Sequence, residues 1–279
     1  MMHKNLVEQL IIQGSTTLRG TVRLSGAKNA SLPIIAATLL SAKPSKLHNI
    51  PRLLDTTAML EALCSLNTEL CLHEDLSVTI NPSNCLSDSL SKTVATKLRG
   101  SFLLLGPLLA RFGKAQIPLP GGCKIGARPV DVHLHGLKKM GAYIELQSGT
   151  VFAHSKKRLQ GTDITLEVAS VTGTENLMMA ACLAEGTTIL RNAACEPEIS
   201  DLAEFLNAMG AKVSGAGTNT ITIQGVEQLT GCEHHIIYDR VEAGTYLIGA
   251  TLTQGEITLQ NIDHTHLGDV INKLRQAGA

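Results

Sequence analysis

Aromatic residues make up only 3% of this 279-residue chain and tryptophan is absent, which excludes a base-stacking platform for single-stranded nucleic acid. Charge of one sign is missing too. Lys plus Arg equals Asp plus Glu at 24 each, so no net field draws in nucleic acid or an anionic membrane, and any anion site has to be local. No apolar run reaches the ~20 residues that a membrane-spanning helix needs. Met1 to Gly14 has no charged leader followed by an apolar core and a small-residue cleavage site. The seven cysteines (Cys64, Cys71, Cys85, Cys123, Cys182, Cys195 and Cys232) are odd in number, scattered, and form no Cys-x-x-Cys pair, which argues against a disulfide framework or a structural zinc site. The expectation is a cytoplasmic α/β protein of roughly two domains that needs neither nucleic acid nor membrane as a partner.

What the chain does contain is a repeat. Leu47-His48-Asn49, Leu190-Arg191-Asn192 and Leu259-Gln260-Asn261 each follow an apolar helical stretch and a short turn. Each is followed by an aspartate (Asp55, Asp201, Asp269) and a second helix with leucines on one face. Gly-Ala pairs close these helices at Gly141, Gly210 and Gly278, 69 and 68 residues apart, and Asn67-Thr68 takes the corresponding place in the first repeat. Four repeats of about 70 residues result, each reading as helix, strand, helix, then strands. Strand follows Gly141-Ala142 and Gly210-Ala211, whereas the chain stops at Gly278-Ala279, so the fourth repeat reads as unfinished and the chain as a fragment of something longer. Unpaired strand edges and apolar helix faces there predict self-association.

Two loops stand out from the repeat. Gly121-Gly122-Cys123-Lys124-Ile125-Gly126-Ala127-Arg128-Pro129-Val130-Asp131 sets a thiol among cations, which favour the thiolate, so Cys123 is either a reactive thiol, able to act as nucleophile or proton donor, or an inert cysteine in a surface turn. Ser25-Gly26-Ala27-Lys28-Asn29-Ala30 places a lysine and an asparagine at the start of an apolar helix, where backbone amides and the dipole favour an anion. The other reading is simple capping by Ser25 or Asn29.

These stretches, with Lys97-Leu98-Arg99-Gly100-Ser101, Thr172-Gly173-Thr174-Glu175-Asn176 and Asp239-Arg240-Val241-Glu242-Ala243-Gly244-Thr245, resemble the enolpyruvyl transferases. Within that family the chain is most similar to the UDP-N-acetylglucosamine 1-carboxyvinyltransferases of peptidoglycan synthesis, while the related 5-enolpyruvylshikimate-3-phosphate synthase lacks such a cysteine loop. The resemblance implies an inside-out α/β barrel fold of six repeats, four of them present here, with the active site in the cleft between two domains. It divides the chain into residues 1–27 as N-terminal strands of the second domain, 28–236 as the first domain with the cysteine loop, and 237–279 as the incomplete return into the second.

The reaction so implied moves the enolpyruvyl group of phosphoenolpyruvate onto the 3-hydroxyl of UDP-N-acetylglucosamine and releases phosphate, with no cofactor and no metal. By position, Cys123 matches the family's proton donor, which fosfomycin alkylates. Lys28 and Asn29 match residues contacting phosphoenolpyruvate and the sugar, while Arg99, Arg128, Pro129, Val130, Asp131, Val132, Ser170, Val171 and Thr172 match nucleotide-sugar contacts. Val168 stands where a family member has lysine. The family's catalytic aspartate base and further arginines come from repeats beyond residue 279, so two alternatives to catalysis on this sugar stay open: a non-catalytic nucleotide-sugar-binding fragment, and a transferase for another acceptor.

Other motifs carry less. His133-Leu134-His135 and His264-Thr265-His266 have a strand spacing that would put both imidazoles on one face, and His234-His235 is adjacent, but no third ligand accompanies any pair. Gly210 to Gly217 reads as a hairpin turn, Glu196-Pro197-Glu198 as a loop before a helix near Ser200, and Leu177 to Leu183 as core.

Overall fold

The computed structural model describes residues 11, 13–14, 16–85, 87–96, 98–119 and 130–279, with Arg99 described in its backbone only. Strand β1 (Arg19–Arg23) precedes the first repeat, which comprises α1 (Lys28–Ala37, tightening into a 3-10 turn at Thr38–Leu40), β2 (Ser45–His48), α2 (Leu54–Ser65), β3 (Glu69–Leu72) and β4 (Val78–Asn81). After the short α3 (Lys92–Ala95), a 3-10 segment at Arg99–Leu104 runs into the second repeat: α4 (Leu105–Phe112), β5 (Lys114–Pro118), α5 (Asp131–Lys139), β6 (Tyr143–Gln147) and β7 (Thr150–His154). Strand β8 (Asp163–Thr165) leads into the third, with α6 (Val171–Cys182), β9 (Thr187–Arg191), α7 (Pro197–Ala208), β10 (Lys212–Ser214) and β11 (Thr220–Gln224). Strand β12 (Glu233–His235) precedes the fourth, α8 (Arg240–Leu252), β13 (Glu256–Gln260) and α9 (Gly268–Gln276).

The repeat is written into the backbone. Asn49, Asn192 and Asn261 all have left-handed φ, at 60°, 54° and 64°, as do Asn67, Gly141, Gly210 and Gly278 after the second helix of each repeat. Asparagine and glycine are the residues that tolerate this region, so their recurrence marks equivalent turns. The sheets repeat as well. β2-β4-β3, β5-β7-β6 and β9-β11-β10 are antiparallel in the same order. The Gly210–Gly217 stretch is the loop between antiparallel β10 and β11, the expected hairpin.

Three repeats also take a parallel strand and the second a single parallel bridge, and their origins differ. β8 pairs with β9, its own repeat's next strand, and Ser89 bridges in parallel to Gln116 of β5. In the other two repeats the partners are exchanged: β1, before repeat one, pairs with β13 of repeat four, and β12, before repeat four, pairs with β2 of repeat one. Accordingly the chain divides into two compact units, Ser25–Tyr238 and a smaller one in which Asp239–Ala279 joins the residues before Ser25.

In the larger unit the first helix of each repeat is dominated by small and apolar residues and largely buried. Residues 30–37 of α1, 105–109 of α4 and 173–182 of α6 are inaccessible, and α6 packs on α1, α4, α5 and α7. Leu177, Met178 and Met179 are fully buried, each contributing about 2 kcal/mol. The sheets present one alternating face to this core, as in β2 and β4. Half-buried Arg111 of α4 ties repeats one and two together by donating to the carbonyls of Leu39, Ser41 (both 2.9 Å) and Pro82 (3.1 Å). Helix α7 begins at Pro197, earlier than the expected start near Ser200, because proline at the first helical position fits the fixed φ and lacks an amide that would go unpaired there.

Candidate active site

The N-terminus of α6 is built by close helix approach. A Cβ on Gly106 of α4 would stand 2.2 Å from Asn176 Oδ1, one on Gly136 of α5 2.5 Å from Leu177, and one on Gly173 2.8 Å from Val132 Cγ1. Glycine at these positions lets α4 and α5 press against α6. Ser170 is the cap, its Oγ accepting the Gly173 amide at 3.1 Å, and Thr172 stands exposed in the first turn. The expected segments 130–132 and 170–172 are therefore brought together: Val130 caps α5, Asp131 opens it with a charge that complements the dipole, and Val132 packs on Gly173.

Beneath this turn lies a buried polar network. Asn176 Oδ1 accepts the Gly106 amide at 2.6 Å, and its Nδ2 reaches the Phe102 carbonyl at 3.0 Å and His133 Nδ1 at 2.9 Å. His133 Nε2 lies 3.3 Å from Thr172 Oγ1, and the ring meets Phe102 edge-on at 5.1 Å. Burial pushes the His133 pKa down to about 4. Glu175, one residue from Asn176, is 1% exposed and its Oε1 has no hydrogen-bond partner. Burial first, then Glu198 and Glu196, push its carboxyl pKa well above the usual carboxylate range.

Lys28 and Asn29 occupy the first turn of α1, whose cap position is Ala27. Lys28 Nζ lies 3.2 Å from Asp55 Oδ2 in the first turn of α2, and Asn29 is exposed. Arg99 opens the 3-10 segment that packs on α1 and α6. Cys123, Arg128 and Pro129 lie outside the described residues.

The histidine pairs are corrected. His133 and His135 lie on α5, where residues two apart point to different sides, so His133 is buried and His135 exposed. His264 and His266 lie in a 3-10 turn, and in β12 His234 turns to buried Asp201 (2.9 Å) while His235 stacks on His48. Among the described residues no three His, Cys, Asp or Glu side chains are grouped to hold a metal ion, and no helix is long and apolar enough to cross a membrane.

Reading residues one stretch at a time missed His133 and Asn176 as one network. Its signal was present: Asn176 lies four residues after Thr172, on the same helical face, in a run too polar for a core helix without partners.

The EPSP synthase (3-phosphoshikimate 1-carboxyvinyltransferase) family matches residues 12–279. A UDP-N-acetylglucosamine 1-carboxyvinyltransferase of Coxiella burnetii (strain Dugway 5J108-111) is 50% identical over 273 residues, 98% of this chain and 63% of that relative. One of Halorhodospira halophila is also 50% identical, over 98% of this chain and 65% of its own length. The chain thus spans just under two thirds of the relatives it matches. Among solved structures, EPSP synthase from Acinetobacter baumannii is similar with a TM-score of 0.75 at 24% identity, covering 96% of this chain and 61% of that one. The enolpyruvyl transferase NikO from Streptomyces tendae is similar with a TM-score of 0.74 at 22% identity, covering 85% and 56%. Both likenesses bear on the α/β fold alone.

Proposed function

The chain belongs to the EPSP synthase family, and on that premise we propose that it forms the larger part of an enolpyruvyl transferase acting on UDP-N-acetylglucosamine in peptidoglycan synthesis. The observation that carries this reading is the 50% identity over 98% of the chain to UDP-N-acetylglucosamine 1-carboxyvinyltransferases. The sugar's 3-hydroxyl gives up its proton to a base, in the family an aspartate from beyond residue 279, and its oxygen adds to C2 of phosphoenolpyruvate while C3 takes a proton from the Cys123 thiol; the tetrahedral ketal then loses phosphate, and a C3 proton to a base, to give the enol ether. Lys28, Asn29, Arg99 and Arg128 hold the phosphate, carboxylate and diphosphate as the central carbon changes geometry. Pro129 to Val132 and Ser170 to Thr172 hold the nucleotide-sugar. In this reading residues 28–236 are the first domain, and 1–27 with 237–279 belong to the second. The protein works in the cytoplasm, supports cell shape and division through the wall, and is alkylated by fosfomycin at Cys123.

Coverage of only 63% of the Coxiella relative favours a second reading, in which these 279 residues bind the nucleotide-sugar without turnover. Phosphate release from phosphoenolpyruvate plus UDP-N-acetylglucosamine separates the two, with a Cys123→Ala chain run beside the wild type. Release that disappears in the variant supports catalysis by this chain. Folded protein that binds the UDP-sugar but releases no phosphate supports the second reading, and a chain that binds shikimate 3-phosphate instead overturns both.

A further inference from the structure

The network under α6 determines which way the Thr172 hydroxyl can donate. A backbone amide can only donate, so the Gly106 N–H at 2.6 Å identifies the Asn176 atom facing it as Oδ1. The other atom is therefore Nδ2, which has two hydrogens and no acceptor capacity. One hydrogen goes to the Phe102 carbonyl at 3.0 Å and the other to His133 Nδ1 at 2.9 Å. His133 Nδ1 consequently accepts, which rules out both the imidazolium and the Nδ1–H tautomer and places the ring proton on Nε2. Nε2 lies 3.3 Å from Thr172 Oγ1, so the hydroxyl oxygen accepts there and its own hydrogen turns away from the buried ring. His133 is 5% exposed whereas Thr172 is exposed, so away from the ring is outward, at a helix end whose cap oxygen on Ser170 is already occupied by Gly173.

We propose that His133 is a positioning residue which, locked by Asn176 as the Nε2–H tautomer, holds the Thr172 hydroxyl as an outward hydrogen-bond donor to a diphosphate oxygen of the nucleotide-sugar. The ligand in this statement rests on the function proposed above. Asn176 and His133 do not touch the ligand. They make Thr172 a donor, whereas a serine or threonine hydroxyl is ordinarily free to rotate and to present either its hydrogen or a lone pair. An anion has only acceptors, so a hydroxyl already committed to donating outward suits it.

Two measurements on the 279-residue chain test this. With 15N-labelled histidine, long-range proton–nitrogen correlation, assigned by the signal lost in His133→Gln, is expected to show a protonated Nε2 and an unprotonated Nδ1. Calorimetric titration with UDP-N-acetylglucosamine is expected to weaken about tenfold or more in Thr172→Val and to recover to within about twofold of wild type in Thr172→Ser, which restores the hydroxyl. Thr172 itself is exposed, but Thr172→Val leaves the His133 Nε2–H without its acceptor, so circular dichroism of both variants confirms that they are folded before titration. An Nδ1–H signal, or affinity unchanged in Thr172→Val, overturns the inference and leaves the functional reading standing. A folded wild type that binds no UDP-N-acetylglucosamine overturns the functional reading and the ligand named here, and the spectrum still decides the role of Asn176 and His133.

Discussion

Helices α6 and α8 hold the same place in their repeats and both are dominated by small and apolar residues, yet ten of the twelve residues of α6 are buried against two of the thirteen in α8. The difference lies in the surroundings. α6 is packed by α1, α4, α5 and α7, whereas α8 meets β13, α9 and the 3-10 turn before α9. Val241, Ile248 and Leu252 of α8 are 54%, 45% and 79% exposed. An apolar helix is thus an offer of burial that neighbours have to take up. Where they do, polar groups such as Asn176, His133 and Glu175 go under as well and acquire fixed partners or a shifted pKa.

The contrast can be broken most forcefully at glycine. In Gly106→Ala the new Cβ meets Asn176 Oδ1 at 2.2 Å and the Asn176 carbonyl oxygen at 2.5 Å. Neither can retreat without losing a hydrogen bond in the core, so a loss of about 3 kcal/mol or more is expected in urea unfolding. A loss below about 1 kcal/mol would mean that α4 and α6 slide apart easily.

Acid gives the next effect. The folded His133 pKa is depressed from 6.5 to about 4, so its contribution is fully present above pH 6.5 and is lost as pH falls towards 4, where the unfolded chain has bound a proton that the fold refuses. The loss amounts to roughly 3 kcal/mol. Hydrogen exchange in α5 and α6, corrected for intrinsic rates, is expected to accelerate over this window, and the slope is expected to flatten in His133→Gln. Acceleration confined to α8 and α9 would contradict the assignment.

Gly244→Ala should have the smallest effect and the opposite sign. Its Cβ would find only Leu267 Cδ2, at an ordinary 3.7 Å, so the helix is expected to gain up to about 1 kcal/mol from propensity alone. Circular dichroism during thermal unfolding checks it. A loss instead of a gain would show that α8 is packed more closely than its exposed residues indicate.

The repeat was legible in the sequence because left-handed turns restrict residue type. Asn49, Asn192 and Asn261 recur for that reason, and so do Asn67 and the glycines at 141, 210 and 278. The exchange of β1 and β12 between repeats could not be read from composition or periodicity, since parallel pairing leaves no mark there; only the family resemblance set the N-terminal strands with residues 237–279. His133-Leu134-His135 suggested a strand because alternation over three residues cannot distinguish a period of 2 from one of 3.6. Of the candidate site, the segments 130–132 and 170–172 could be named from their motifs. That Gly106, Gly136 and Gly173 press three helices into one polar network depends on packing between residues up to 74 apart.

The exchanged strand also sets a timetable for synthesis. β12 completes the sheet containing β2, β4 and β3, yet it leaves the ribosome roughly 150 residues after β4. At about 5–20 residues per second, the β2 edge waits on the order of ten to thirty seconds for its parallel partner. During that interval the nascent chain presents an unpaired strand to any other extended segment nearby. A chaperone that shields residues 45–48 until residue 235 emerges would therefore raise the yield of folded protein without altering its final stability.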